Sequence, residues 1–290
     1  MVEASRGAID HDVGAEQADT RQLYLDLLKR ILTRTGFENS YRLIARGQGW
    51  RRVIYPPIRK ILSWQGLELV RRYDAEIRRF GDDLPSDAET MIGMARLENL
   101  ERCIVDALRR GVPGDLMETG VWRGGAAIFM RAVLKAYGVC DRLVWAADSF
   151  HGLPRPDTER YAQDASTDFW KRRPLAVSLD EVKANFARYG LLDEQVHFVV
   201  GWFRDTLPTA PVEQLAVLRL DGDMYESTTI ALHALYPKLS TGGYVIIDDY
   251  AIPVCWQAVD DYRHEMGIAD EIHRIDRMGA YWQKTGATSG

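Results

Sequence analysis

The sequence predicts an α/β fold with a parallel sheet, and the main observation lies in residues 217–250. Two short apolar runs, 217–220 and 244–247, are typical of buried parallel strands. Between them, 227–239 has apolar residues at helical spacing, and Gly242 and Gly243 follow as a helix stop, unless Pro237 ends the helix a turn early. A strand, helix, strand unit of this size places its two strands close together, so their carboxyl ends meet at one edge of the sheet.

Aspartates follow both strands at that edge. Asp221 comes directly after the first strand, and Asp248 and Asp249 come directly after the second. These carboxylates have no obvious basic partner in the sequence, so their convergence favours a bound cation. Oxygen ligands suit magnesium or calcium, whereas zinc would be expected to recruit histidine or cysteine.

Length and composition fit one large globular domain with attachments. The chain has 290 residues, 46% hydrophobic and 27% charged. Its net charge of -5 argues against a protein that binds nucleic acid through phosphate contacts. The three cysteines are far apart, which predicts neither a disulfide framework nor a metal-binding pair and favours a reducing cytoplasm. The sequence contains neither a transmembrane segment nor a signal peptide pattern.

The N-terminal part is predicted to be an attachment to the sheet domain. Residues 1–20 are polar and small and are predicted to form a disordered tail. Residues 21–89 are predicted to form a helical lid and basic attachment, and residues 90–290 the sheet domain. A helix over 21–33 either packs on the core or acts as a mobile lid over a pocket. Its predicted apolar positions are Leu23, Leu27, Leu28, Ile31 and Leu32.

The segment 42–80 is strongly basic. It carries ten basic and three acidic residues, a net charge of +7 in a chain of net charge -5. Pro56 and Pro57 are predicted to divide it in two. This pattern fits three interpretations: a solvated helical attachment, a segment that contacts a membrane surface, or a segment that binds an anionic substrate. Aromatic residues are interleaved with the charge: Tyr41, Trp50, Tyr55 and Trp64.

A glycine-rich turn follows the first predicted strand of the sheet domain. A helix over 91–110 leads to a strand that ends in Glu118, and the glycines at 120, 124 and 125 open a helix over 126–136. This order is typical of a phosphate or nucleoside grip in doubly wound folds. The dinucleotide fingerprint G-x-G-x-x-G is not matched, so the loop is not that of a dehydrogenase.

An acidic residue ends the next predicted strand, 143–147. Asp148 stands where such folds hold the two hydroxyls of a ribose, although it would also fit as a cap of the following turn. Residues 152–173 are polar and proline-punctuated, which predicts a long excursion over the active edge.

The remaining elements complete a doubly wound pattern. Ser178 and Glu181 form a capping box before a helix that runs to position 189. A strand over 196–200 is followed by Gly201 and Trp202, and Trp202 either stacks on a purine or belongs to the core. A helix over 256–264 and two short strands, 272–275 and 280–283, close the chain as a hairpin.

Five motifs occur in this order: METGVWRGG (117–125), ADSFHGLP (147–154), GWFRDTLP (201–208), LDGDMYEST (220–228) and IDDY (247–250). With these motifs, and with LYLDLLK at 23–29, the chain resembles the macrocin O-methyltransferase (TylF-type) family of S-adenosylmethionine-dependent sugar O-methyltransferases. The resemblance covers most of the chain. It implies the class I methyltransferase fold, a Rossmann-like sheet of seven strands with the last antiparallel. Segment 42–80 looks longer than its counterpart in the macrolide-sugar enzymes, which leaves the acceptor open.

The resemblance also implies site residues. The methionine part of the cofactor would lie on Glu118, Thr119, Gly120, Val121, Trp122, Gly124 and Gly125. Its ribose would lie on Asp148 and Ser149, with Thr90, Met91, Ser178, Gly201 and Trp202 nearby. Asp221, Asp248 and Asp249 match the family's magnesium ligands, and Asp223 matches its proposed general base.

The expected activity is magnesium-dependent methylation of a sugar hydroxyl on a small-molecule glycoside or diol, by a homo-oligomer. Magnesium chelated by two neighbouring hydroxyls would orient the acceptor and lower the hydroxyl pKa. Two alternatives stay open, a catechol or phenol O-methyltransferase and a non-catalytic protein that binds S-adenosylmethionine. A hydrolase is disfavoured because the G-x-S-x-G elbow is absent from the sequence.

Overall fold

The computed structural model describes residues 3–37, 41–43, 49–67, 69–72, 75–81, 85 and 87–286. The N-terminal part combines helices with a two-stranded antiparallel ribbon, in which β1 pairs with β2. In chain order its elements are α1 (Glu3–Leu32), β1 (Tyr41–Leu43), α2 (Arg51–Trp64), β2 (Val70–Arg72) and α3 (Ala75–Phe80).

Helix α1 is longer than predicted. It begins at Glu3, so the structure differs from the predicted disordered tail over 1–20. Alanine and glutamate are strong helix formers, and no proline separates this stretch from the amphipathic part. Leu25, Leu28 and Leu32 are buried in the core, whereas Leu23 is 71% exposed.

Helix α2 runs through both prolines. The predicted break at Pro56 and Pro57 is therefore wrong, because a proline removes one backbone donor without necessarily ending a helix. The helix is largely exposed to solvent, with Ile61 62% and Trp64 81% exposed. Arg46 of the basic segment lies outside the described residues.

The rest of the chain forms a seven-stranded sheet in the order β5-β4-β3-β6-β7-β9-β8. Strands β3 to β7 are parallel, and β9 is antiparallel to both of its neighbours. The fold implied by the resemblance is thus confirmed. In chain order the elements are α4 (Met94–Arg109), β3 (Asp115–Thr119), α5 (Gly125–Ala136), β4 (Val144–Asp148), α6 (Leu179–Arg188), β5 (Val196–Val200), α7 (Phe203–Thr206), β6 (Leu215–Leu220), α8 (Tyr225–Leu235), β7 (Leu239–Ile247), α9 (Pro253–Glu265), β8 (His273–Arg274) and β9 (Ala280–Gln283).

Apolar residues cover both faces of the sheet. One layer contains Ile104 of α4 and Phe129 of α5, and the other contains Leu232 of α8 and Val259 of α9. Helix α1 packs on α4 and α5, and Lys29 forms a buried ion pair of 2.7 Å with Glu101 of α4. The N-terminal helix is therefore part of the first layer.

The helix between the two central strands ends a turn early, as the alternative prediction from Pro237 had it. Helix α8 stops at Leu235, and a short 3-10 turn, Tyr236–Lys238, contains Pro237. Gly242 and Gly243 are not a helix stop but residues of β7. A Cβ on Gly243 would lie 2.7 Å from the Ala216 carbonyl oxygen, so glycine is required by the close approach of β6.

The predicted excursion over the active edge contains three short 3-10 turns, Ala162–Ser166, Phe169–Lys171 and Arg173–Leu175. Ser178 then caps α6 by accepting a hydrogen bond of 3.2 Å from the Glu181 N–H, which confirms Ser178 as the N-cap of the predicted helix. Among the described residues, no helix combines the length and apolar character needed to cross a membrane.

Candidate active site

The carboxyl ends of β3, β6 and β7 lie side by side. Thr119 pairs with Leu220 in the parallel register, and Leu220 pairs with Ile247. The alignment continues past the strands, because the Asp221 N–H donates to the Thr119 carbonyl and the Asp248 N–H to the Leu220 carbonyl, both at 2.9 Å. The predicted aspartates therefore emerge at one edge of the sheet.

Three carboxylates converge there. Asp221, Asp223 and Asp249 each offer one oxygen, and these oxygens lie within 4.8 Å of one another. Asp223 has a φ of +57°, and its N–H donates to Asp249 Oδ2 at 2.9 Å. Two predicted ligands are thus brought together with the predicted base. An oxygen-only donor set of this kind fits a magnesium or calcium ion.

The third predicted ligand, Asp248, lies between two buried arginines. One of its oxygens contacts Arg96, and the other lies 2.6 Å from Arg219 Nη2. Arg96 in turn contacts Asp276 at 3.0 Å. The structure therefore does not place the Asp248 carboxylate in the cluster with the other two predicted ligands.

Arg219 is a basic partner that the sequence-based interpretation missed. Its guanidinium is buried, contacts Glu118, and lies 2.9 Å from Asp221 and 2.6 Å from Asp248. The expectation that the carboxylates have no basic partner is therefore wrong. The sequence did contain a sign of this partner, because Arg219 stands inside the apolar run 217–220. A charged side chain that is buried in a strand must be paired.

Burial and mutual repulsion raise the pKa of the clustered carboxyls. The pKa of Asp223 rises to about 7 through burial and the charges of Asp221 and Asp248, and that of Asp221 rises to about 6 through burial and Asp248. Burial is the main cause that raises the pKa of Asp249 well above its usual value, and the negative charge of Asp223 is the next. Burial would also raise the pKa of Asp248, but Arg219 and Arg96 hold it below its usual value. The cluster therefore holds more negative charge than its surroundings balance, which favours cation binding.

Gly120 joins the glycine loop to the aspartate edge. It has a φ of +84°, and a Cβ at this position would lie 1.6 Å from the carbonyl oxygen of Asp221. No side chain is compatible with that contact. At the far end of the loop, the Gly125 N–H donates to the Glu89 carbonyl at 2.9 Å, which fixes the loop against the segment before α4.

Asp148 holds the glycine loop from the neighbouring strand. Its carboxylate accepts hydrogen bonds of 2.7 Å from the N–H groups of Val121 and Phe150 and a longer one of 3.4 Å from Trp122. Asp148 therefore caps its own turn and also organises the loop. Burial raises the pKa of its carboxyl, and the backbone donors oppose that rise.

These elements border one cleft with an empty volume of about 710 Å³, including the part open to solvent. That size suits a small-molecule ligand. The predicted residues that line it are Met91, Gly120, Trp122, Asp148, Ser149, Trp202, Asp221 and Asp223. The remaining lining residues, absent from the predicted site, are Gly152, Leu153, Pro154, Leu175, Phe203, Arg204, Gly222, Glu226, Ser227 and Ile230.

Other predicted site residues do not line the cleft, and several of them hold its surroundings in place. Glu118 is bound to Arg219, Ser178 caps α6, and the Thr90 Oγ1 accepts from the Ile92 N–H at 3.3 Å. The residues of this kind, which are not among the lining residues, are Thr90, Glu118, Thr119, Val121, Gly124, Gly125, Ser178, Gly201, Asp248 and Asp249.

The basic segment also reaches this region. Arg78 of α3 is buried, and its guanidinium donates to the Met91 carbonyl at 2.8 Å and to those of Thr90 and Ile92. This arginine holds the segment that borders the cleft at Met91. It is therefore not a solvated surface charge, as the attachment interpretation of this segment assumed.

Asp164 fastens the excursion over the active edge to α8. Its buried carboxylate accepts hydrogen bonds from the N–H groups of Tyr225 and Glu226, at 2.8 and 2.9 Å. These are donors of the first turn of α8, which have no partner within a helix. The contact was not predicted because a cap supplied from 61 positions away leaves no local pattern.

The chain matches the model of the Macrocin-O-methyltransferase (TylF) family over residues 21–284. It is 50% identical over 272 residues to the 8-demethyl-8-(2,3-dimethoxy-alpha-L-rhamnosyl)-tetracenomycin-C 4'-O-methyltransferase of Streptomyces olivaceus. The aligned region covers 93% of this chain and 96% of that relative. It is 49% identical over 276 residues to the demethyldecarbamoylnovobiocin O-methyltransferase of Streptomyces niveus, spanning 94% of this chain and 98% of that one.

Solved structures agree with these relationships. The O-methyltransferase NovP is similar with a TM-score of 0.79 and 49% identity, covering 91% of this chain and 99% of that chain. The calicheamicin methyltransferase CalS11 is similar with a TM-score of 0.51 and 18% identity, covering 82% of this chain and 94% of that chain. The second similarity concerns the fold alone.

Proposed function

The chain belongs to the macrocin O-methyltransferase (TylF) family of S-adenosylmethionine-dependent O-methyltransferases with a class I fold, and we propose that it methylates a sugar hydroxyl of a glycosylated natural product. The observation that carries the metal-assisted form of this proposal is the cluster of Asp221, Asp223 and Asp249 beside the cleft. The tetracenomycin and novobiocin relatives support a natural-product acceptor, because their names describe methylation of such compounds.

S-adenosylmethionine would lie along the glycine loop. Asp148 lines the cleft and already orders the N–H groups of Val121 and Phe150. Two of the four donors to Asp148, the Trp122 N–H and the Ser149 hydroxyl, lie at a long 3.4 Å, so ribose hydroxyls can take their place on the carboxylate. Gly120 leaves the loop without a side chain at its closest approach to the aspartate edge.

Asp221 and Asp249 would hold a magnesium ion. Asp248 would contribute only through the lone pairs that its arginine contacts leave free, because both of its oxygens face a guanidinium. When bound, magnesium supplies Lewis acidity that makes a chelated hydroxyl more acidic. This chemistry suits two neighbouring hydroxyls better than an isolated alcohol.

Asp223 is our proposed proton acceptor. The acceptor oxygen forms a bond to the methyl carbon as the carbon–sulfur bond breaks, and its proton passes to the Asp223 carboxylate. A base works best when its pKa lies near the working pH, and burial beside Asp221 and Asp248 raises the pKa of Asp223 to about 7 before any cation is bound. The rival assignment makes Asp223 the third metal ligand, as its place in the cluster also permits.

The direct test is methyl transfer from labelled S-adenosylmethionine to panels of glycosides and catechols, with magnesium and with excess chelator. Methylation of glycosides that requires magnesium is the expected result. Methylation confined to catechols would replace the sugar acceptor by an aromatic one. Full activity in excess chelator would refute the metal-assisted mechanism. Cofactor binding without transfer to either panel would favour a non-catalytic protein.

We also expect a homo-oligomer in a reducing cytoplasm. Helix α2 and Trp50 just before it carry large exposed apolar side chains, with Trp50 66%, Ile61 62% and Trp64 81% exposed. Such a face suits a protein partner or a membrane surface. Light scattering of the purified chain, and sedimentation with anionic vesicles, would separate the two. A monomer at micromolar concentration would refute the oligomer.

A further inference from the structure

The segment before α4 is buried backbone without regular structure. Residues 87–92, the strap, belong to neither a helix nor a strand, yet Ala88, Glu89, Thr90 and Ile92 are buried. Buried carbonyl groups cannot bond to bulk water, and an irregular segment cannot satisfy them with its own ladder. The strap therefore needs donors from other parts of the chain.

Arg78 of α3 satisfies the second half of the strap. Its side chain is buried, and its guanidinium donates to three consecutive carbonyls, those of Thr90, Met91 and Ile92, at 3.3, 2.8 and 2.6 Å. The planar guanidinium presents its donors in a fixed geometry, so it holds these carbonyls in one arrangement. Arg78 thus fixes the part of the strap that borders the cleft.

Two further arginines and the glycine loop hold the first half. Arg34 and Arg123 donate to the carbonyls of Asp87 and Ala88, at 2.8 and 3.0 Å. The next carbonyl accepts from the Gly125 N–H at 2.9 Å, and a Cβ on Gly125 would lie 2.5 Å from the same oxygen. All six carbonyls of the strap therefore have donors, and the third carbonyl joins the strap to the glycine loop.

The strap and Asp148 hold opposite ends of the glycine loop. Asp148 accepts from the Val121 N–H near the start of the loop, whereas the strap accepts from Gly125, where α5 begins. The strand order β5-β4-β3 places Trp202, Asp148 and the glycine loop in succession along the edge of the sheet. A cofactor with its ribose on Asp148 and its base toward Trp202 would therefore have its amino-acid part beside the glycine loop and the strap, where Met91 lines the cleft.

We propose that Arg78 is a positioning residue for the amino-acid part of the cofactor. It fixes the strap, and through the strap it holds Met91 and the Gly125 end of the glycine loop in the arrangement that accepts the ligand. A backbone that is fixed before binding does not have to be ordered by the ligand, which preserves affinity. This inference rests on the proposed binding of S-adenosylmethionine in the cleft.

The test compares two ligands that share adenine and ribose. S-adenosylhomocysteine carries the amino-acid part, whereas 5'-methylthioadenosine has only a methylthio group in its place. The variant Arg78→Met keeps an apolar stem and removes every donor to the strap. We expect it to bind S-adenosylhomocysteine about tenfold or more weakly than wild-type protein in calorimetry, and 5'-methylthioadenosine within about threefold of wild type. Equal losses for both ligands, or an unchanged affinity for S-adenosylhomocysteine, would overturn the proposal.

Two variants of the same helix make the result specific. The control Arg79→Met changes an exposed neighbour on α3 and should leave both affinities at the wild-type level. Arg78→Lys keeps a cation with N–H donors and should bring the affinity for S-adenosylhomocysteine back to within about threefold of wild type. A merely structural role would lower the urea midpoint of Arg78→Met without changing the ratio of the two affinities.

Arg34→Met answers the same question if Arg78→Met does not fold. Arg34 holds the first carbonyl of the strap, and its side chain is 26% exposed, so its loss is less disruptive. This variant should bind S-adenosylhomocysteine about threefold more weakly and 5'-methylthioadenosine as wild type does, and an unchanged ratio would overturn the proposal.

The wild-type protein separates this inference from the function on which it rests. If it binds neither ligand, the proposed cofactor site fails, and the inference fails with it. If it binds both ligands and Arg78→Met keeps the wild-type ratio, the cofactor site stands and only the role of Arg78 is refuted.

Discussion

Replacing Arg219 by methionine should destabilise the protein strongly. The guanidinium is 2% exposed and contacts three carboxylates, those of Glu118, Asp221 and Asp248. Removing one partner from a buried ion pair leaves an uncompensated charge and costs about 3 to 5 kcal/mol. That is a large share of the roughly 5 to 15 kcal/mol by which folded domains are stable. Arg219→Met should therefore lose about 3 to 5 kcal/mol of unfolding free energy.

Urea unfolding followed by circular dichroism measures this loss. The matched control is Arg110→Met, which breaks a solvent-exposed pair with Asp106 and an exposed hydrogen bond to the Gly242 carbonyl, and which should cost no more than about 2 kcal/mol. The loss in Arg219→Met should be largest at about pH 7 and smaller at about pH 5, because carboxyls that take up protons no longer need the cation. A cost for Arg219→Met no larger than that of the control would refute the reasoning.

The remaining predictions concern the cleft. Asp148→Ala should weaken binding of S-adenosylhomocysteine by about 1 to 3 kcal/mol, because loop and ribose hydrogen bonds are lost, and unchanged affinity in calorimetry would contradict this. Asp223→Asn should lower turnover by about two to four orders of magnitude with near-normal magnesium affinity. Asp221→Asn should instead weaken magnesium binding, and an equal loss in Asp223→Asn would make Asp223 a ligand. Magnesium affinity should rise from about pH 5 to about pH 8, because protons compete for carboxyls whose pKa is raised to about 6 for Asp221 and to about 7 for Asp223. Calorimetric affinities that are equal at the two pH values would contradict that competition.

The sheet could be predicted from the sequence because its signals are local. Buried parallel strands are short apolar runs, and the aspartates directly follow two of them. The capping box at Ser178 and the glycine loop before α5 were visible for the same reason. Helix boundaries were less certain where two signals competed, as at Gly243, where a close approach of β6 to β7 requires glycine.

The charge pattern of the site could not be predicted in the same way. Asp248 is adjacent to Asp249 in the chain, yet its carboxylate faces Arg219 and Arg96, which lie on β6 and α4. Consecutive side chains point in different directions, so neighbours in sequence need not share a cluster. Glu226 was not among the predicted site residues. In the sequence, a glutamate on a helix cannot be told from an ordinary surface residue, and only the structure shows that it is buried beside the cleft.

The hydrogen bonds that Asp164 accepts from α8 divide the excursion over the active edge into two loops. Residues 152–163 and 167–175 each contribute to the wall of the cleft, at Leu153 and Pro154 in the first and at Leu175 in the second. Because Asp164 fixes the middle of the excursion at the N–H groups of Tyr225 and Glu226, we expect that either loop can be replaced by that of a relative without moving the start of α8. Chimeras that retain Asp164 and exchange one loop at a time therefore offer a way to change the acceptor. The aspartates at the edge of the sheet stay the same in such chimeras.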